Sequence, residues 1–106
     1  MLFNVAEPIP SAASLAEILT RATAELLKAT KALTETKDPI RSCTKVKALA
    51  EDAEKVYLRG QEELMANALD PSSLIKRQRI CERLEAAVNL SQEVARTIER
   101  IAIKHL

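Results

Sequence analysis

A chain of 106 residues has the length of one domain and is too short for a second independent core. Its residues are 47% hydrophobic but only 2% aromatic, with one Gly, and the apolar mass is Ala, Leu, Ile and Val, a mixture that favours helices and starves sheets. Sixteen Lys and Arg against 15 Asp and Glu leave a formal charge of +1, so no positive field steers a polyanion, and nucleic acid is excluded as an expected partner.

The opening "MLFNVAEPIP" lacks the basic start and long apolar middle of a secretory signal, and no apolar run approaches the roughly 20 residues needed to span a bilayer. A cytoplasmic protein is expected, with a place against the inner face of the membrane left open. Pro8 and Pro10 make residues 1–13 read as a linker preceded by the last turn of another helix. Residues 14–106 then form the folded unit.

Ser14 and Glu17 have the spacing of a capping box and predict a helix over about 14–37. Its seam is Leu15, Leu19, Ala22, Leu26, Ala29 and Leu33. At "KDPI" and again at "LDPS" an Asp stands before a Pro, a good N-cap ahead of a residue pre-set for the first helical turn. These steps predict a second helix over about 39–69 and a third over about 71–105. The second seam is Cys43, Val46, Ala50, Ala53, Tyr57, Gly60 and Leu64; the third is Leu84, Ala87, Val88, Ser91, Ala95, Ile98 and Ala102. Short connections make neighbours antiparallel, so the expected fold is all-α, an up-down-up three-helix bundle.

The turn near residues 69 and 70 sets residue i of the second helix level with about residue 140 minus i of the third. Cys43 and Cys81 then lie about 24 Å apart at 1.5 Å per residue, beyond the reach of a disulfide. Two reduced core thiols are expected. The same register brings Asp52 and Glu54 level with Glu85 and Asn89. Hard oxygen ligands of this kind suit Mg, Ca, Mn or Fe. Asp52 and Glu54, however, stand about 200° apart around their helix. Spacing alone favours a solvated acidic face.

Other chemistry is sparse. The one His, His105, sits at the end of the third helix without a carboxylate, Ser or Cys beside it, and there is no glycine-rich phosphate loop. No nucleophile, base and oxyanion site assemble, so no enzyme is expected.

The run from "ALAEDAEKVY" through "DPSSLIKRQRICERLEAAVNLSQEVARTIERIAIKH" resembles PhoU-like phosphate transport regulators of the Pit accessory type. Leu49, Ala53 and Tyr57 match a pattern L-E-x-E-A-D-x-x-Y. Asp70, Pro71, Leu74, Ile75 and Lys76 match D-P-x-x-L-I-K, and Leu84, Glu85, Ala87, Val94, Ala95, Ile98 and Glu99 match the closing helix. The resemblance covers residue 40 to the end and, more loosely, the first helix. It implies a non-enzymatic regulator acting by contact with a Pit-type phosphate transporter, in a family whose members often hold metal clusters through E-x-x-x-D motifs. The implied ligands are Asp52, Glu54, Glu85 and Asn89, for a divalent or iron-type ion. Ala50 and Asn89 stand where the family places carboxylates, which weakens that set. The alternatives are a helical oligomerisation or adaptor module without a phosphate role, and a metal-binding bundle.

The family joins two three-helix halves and this chain resembles the second. A second copy is the expected replacement for the first half, giving a homodimer in which Met1, Leu2, Phe3 and Val5 pack on the partner.

Overall fold

The structure, a computed structural model, describes residues 9–67 and 70–104. Three helices follow one another, α1 (Pro10–Thr34), α2 (Ile40–Ala66) and α3 (Pro71–Lys104), and each packs against the other two. No strand occurs among the described residues. The bundle measures 55 × 26 × 15 Å. The expected interface head, Met1 to Val5, and His105 lie outside the described residues.

α1 starts four residues earlier than the capping-box reading places it. Pro10 occupies the first turn, the Ala13 N–H donates to the Ile9 carbonyl at 3.0 Å, and no side chain caps the start. Ser14 is therefore an interior residue. The physical reason lies in Pro10, whose fixed φ suits a first turn, and in Ser11, which is buried against α2 and draws the extra turn into the bundle.

The same helix also stops short of residue 37. Thr36 adopts a left-handed φ of 55°, its N–H donates to the Leu33 carbonyl at 3.3 Å, and the Lys37 N–H donates to the Ala32 carbonyl at 2.7 Å. This pair of bonds is a Schellman closure, built on a Thr where Gly is usual.

The second Asp-Pro step works as the sequence predicts, while at the first α2 starts one residue later than expected, with Pro39 and not Asp38 at the N-cap position. The Ile40 N–H donates to Asp38 Oδ1 at 2.9 Å, and the Ser73 N–H donates to Asp70 Oδ1 at 2.8 Å while the Ser73 hydroxyl bonds Oδ2. These bonds hold the Asp70 carboxyl below its ordinary value, with the Ser73 backbone N–H the largest cause.

The core divides into two clusters along the bundle axis. One gathers Leu15, Ala50, Ala53, Cys81 and Val88; the other gathers Ala29, Cys43, Val46, Ala95 and Ile98. Residue pairs such as Val46 with Ala95 and Ala53 with Val88 share a cluster, in agreement with the antiparallel register read from the α2–α3 turn. Cys43 and Cys81 fall in different clusters and both are free thiols. Small side chains dominate the contact positions, which lets the helix axes approach closely. Ala22 and the buried Ser91, whose hydroxyl donates to the Ala87 carbonyl at 3.1 Å, stand between the clusters. Leu19, Leu26 and Leu33 are half-buried, because three helices leave the flank of each seam open.

Candidate functional site

The four sequence-selected oxygen ligands do not converge. Asp52 is exposed and lines a shallow groove of about 360 Å³ between α1 and α2, with Arg21, Glu25 and Lys45. Glu54 lies on the opposite flank of α2, facing α3. There it meets Glu85, which is half-buried, and burial first and the Glu54 charge second raise the Glu85 carboxyl above its ordinary value. The structure therefore brings together Glu54 and Glu85 and leaves Asp52 on another face. Asn89, a turn beyond Glu85, is exposed. Ala50, at the position where the resembled family carries a carboxylate, is part of the buried core.

Tyr57 completes the α2–α3 groove. It packs on the Leu15 and Ala53 cluster, and its phenol is pushed up by burial and then by the charges of Glu82 and Glu85. Among the described residues, no three His, Cys, Asp or Glu side chains come together in a way that could hold a metal ion.

Both thiols are buried. Burial, with smaller contributions from Glu99 and Asp38, pushes Cys43 up to about 11. Cys81 is buried with its Sγ 3.5 Å from the Ser11 Oγ. A thiolate is the reactive form of cysteine, and the surroundings of Cys43 withhold it.

The third groove is of a different kind, and the apolar seams alone do not point to it. The five charged side chains of α1, Glu17, Arg21, Glu25, Lys28 and Lys31, fall within an arc of about 120° at 3.6 residues per turn. Arg21 and Glu25 line the α1–α2 groove, so that arc is turned away from α3. The flank toward α3 holds only Ala, Leu and Thr. Beside it α3 contributes Leu90, Val94 and Ile101. Leu27 is 71% exposed, Leu90 60%, Val94 42% and Ile101 40%. The signal in the sequence was the segregation of charge on the first helix.

The fold and its grooves define a small all-α three-helix bundle. Compared with known proteins, the chain matches no family model, no curated sequence and no solved structure at a significant level. None of its helices, among the described residues, is long and apolar enough to cross a membrane.

Proposed function

We propose that this chain is a non-enzymatic helical module that acts by protein contact. The observation that carries the reading is the α1–α3 flank, where Leu27, Leu90, Val94 and Ile101 leave large apolar side chains in water. Contiguous apolar surface on a small domain marks an interaction site. The narrower form of the proposal is regulation of phosphate uptake through a Pit-type transporter. It rests on the sequence resemblance over residues 40 to 106. Co-elution of the purified chain with a detergent-solubilised Pit-type transporter tests it: a stoichiometric complex is expected, and its absence at tens of micromolar leaves the adaptor reading without a phosphate role.

The burial of Ala50 favours that second reading, since the family's inward carboxylate is replaced here by core. A metal-holding bundle would have to be built on Glu54 and Glu85. Calorimetric titration with Mn(II) and Fe(II) decides it, because a submicromolar constant that disappears in Glu85→Ala would restore a metal function.

A further inference from the structure

We infer that the α1–α3 face is a self-association surface, occupied by the same face of a second copy across a two-fold axis. The inference extends the protein-contact reading to the chain's own copy. It stands on charge, on hydrogen bonding and on area.

A two-fold axis sets a surface against itself, so a charged surface meets like charge. The α1–α2 groove carries Arg21, Glu25, Lys45 and Asp52, and the α2–α3 groove sets Glu54 beside Glu85. Both resist self-pairing or require an exact antiparallel match of signs. The α1–α3 face carries Ala16, Thr20, Thr23, Leu27, Thr30 and Thr34 from α1 beside Leu90, Val94, Thr97 and Ile101 from α3. Arg83 and Lys31 stand at its borders, and the Arg100 guanidinium reaches it to donate to the Thr97 hydroxyl at 3.1 Å. The Ser11 Oγ to Cys81 Sγ contact and the shared clusters of Leu15 with Cys81 and Ala29 with Ala95 put residue i of α1 level with residues i + 66 to i + 70 of α3, so Leu27 lies level with residues 93 to 97, near Val94.

The threonines provide the independent observation. Thr20, Thr23 and Thr30 donate their hydroxyls to the carbonyls of Ala16, Leu19 and Leu26 at 2.8 to 2.9 Å, Thr34 donates to Lys31 at 2.9 Å, and Thr97 donates to Glu93 at 3.1 Å. Their hydrogen-bonding demand is met inside the helix. The face can therefore lose water without leaving a donor unpaired, which is the condition for burying a polar residue cheaply.

The face is about 27 Å long, at 1.5 Å per residue from Ala16 to Thr34, and about 20 Å wide across two helices. A pair of copies would bury on the order of 1,000 Å², the lower limit of a specific interface. That area fits a reversible dimer.

Sedimentation equilibrium of the full chain tests the inference. The expected result is a reversible dimer of twice the 11.7 kDa chain mass. Leu27→Arg with Leu90→Arg should weaken it at least about tenfold, with helical content by circular dichroism unchanged because both side chains are exposed. Met65→Arg, on exposed α2 surface, should leave it intact. A monomer at all concentrations, a dimer untouched by the double change, or a dimer dispersed equally by Met65→Arg would overturn the assignment. The measurement uses the chain alone, so its failure and a failed transporter co-elution are separate results.

Discussion

Gly60 of α2 and Ser11 of α1 stand so close that a Cβ added to Gly60 would lie 2.7 Å from both the Ser11 Cβ and its Oγ. The Oγ could rotate away, but the Cβ is fixed to the α1 backbone. Gly inside an exposed helix is usually improved by Ala, by up to about 1 kcal/mol. Here the sign reverses. Gly60→Ala is expected to destabilise the bundle by about 1–3 kcal/mol, the usual range for overpacking. Adding Ser11→Gly to Gly60→Ala should recover most of the loss, and urea unfolding of the single and double variants reads it.

Thr36 closes α1 in a left-handed conformation that a β-branched side chain adopts at a penalty of about 1 kcal/mol or more. Thr36→Gly relieves it and keeps both closing bonds, since these use the backbone N–H groups of residues 36 and 37. The variant is expected to be more stable by about 0.5–1 kcal/mol, read as a higher urea midpoint at unchanged slope. A loss of stability would show that the Thr36 side chain packs to greater effect than its strain.

Cys43 ionises only near 11, against 9.0 for a free thiol. Its thiolate fraction at pH 8 is lower by about 100-fold, so the folded chain should react with a disulfide reagent at Cys43 at least that much more slowly than the unfolded chain. Mass spectrometry of the labelled peptide separates Cys43 from Cys81. Because the unfolded thiol releases its proton first, stability should fall as pH rises from 9 toward 11, and Cys43→Ala should flatten that fall.

Glu85 has its carboxyl raised above 4.5 by burial and by Glu54. Between 4.5 and the raised value the folded chain holds more protons than the unfolded one, so stability falls as pH rises through that window. Glu85→Gln removes both the desolvated charge and the repulsion. It is expected to stabilise the chain at pH 7 by a few tenths of a kcal/mol, with the advantage closing as pH falls below the ordinary carboxylate range. Thermal unfolding at pH 7 and at low pH checks it, and an equal gain at both would place the effect in packing.

Much of this bundle was legible in the sequence because its determinants are local and periodic. The seam positions Leu15, Ala22, Val46, Ala53, Val88 and Ala95 are all buried, and Asp70 caps α3 where its Asp-Pro step puts it. The start of α1 was not legible, because Ser11 is held by its contact with Gly60, 49 positions further along the sequence. The end was hidden by Thr36, which performs a glycine's role without being one. In the acidic region, spacing gave the common height of Asp52, Glu54, Glu85 and Asn89 but not the helix each one faces. Helical spacing already sets Asp52 and Glu54 on opposite flanks of α2, but which flank meets α1 and which meets α3 depends on the hand of the bundle, and that hand turns Glu54 and not Asp52 toward Glu85.

The two core clusters have a consequence for how the molecule opens. Among the fully buried residues, Ala22 and Ser91 stand between them at the waist, so little fully buried apolar area couples one end of the bundle to the other. Each end is then a candidate cooperative unit with its own opening free energy. Amide exchange should divide along this line, with the helical amides around Cys43, Val46 and Ala95 forming one group of protection factors and those around Ala53, Cys81 and Val88 another. A partner seated across the middle of α1 and α3 would span both groups and merge them into one.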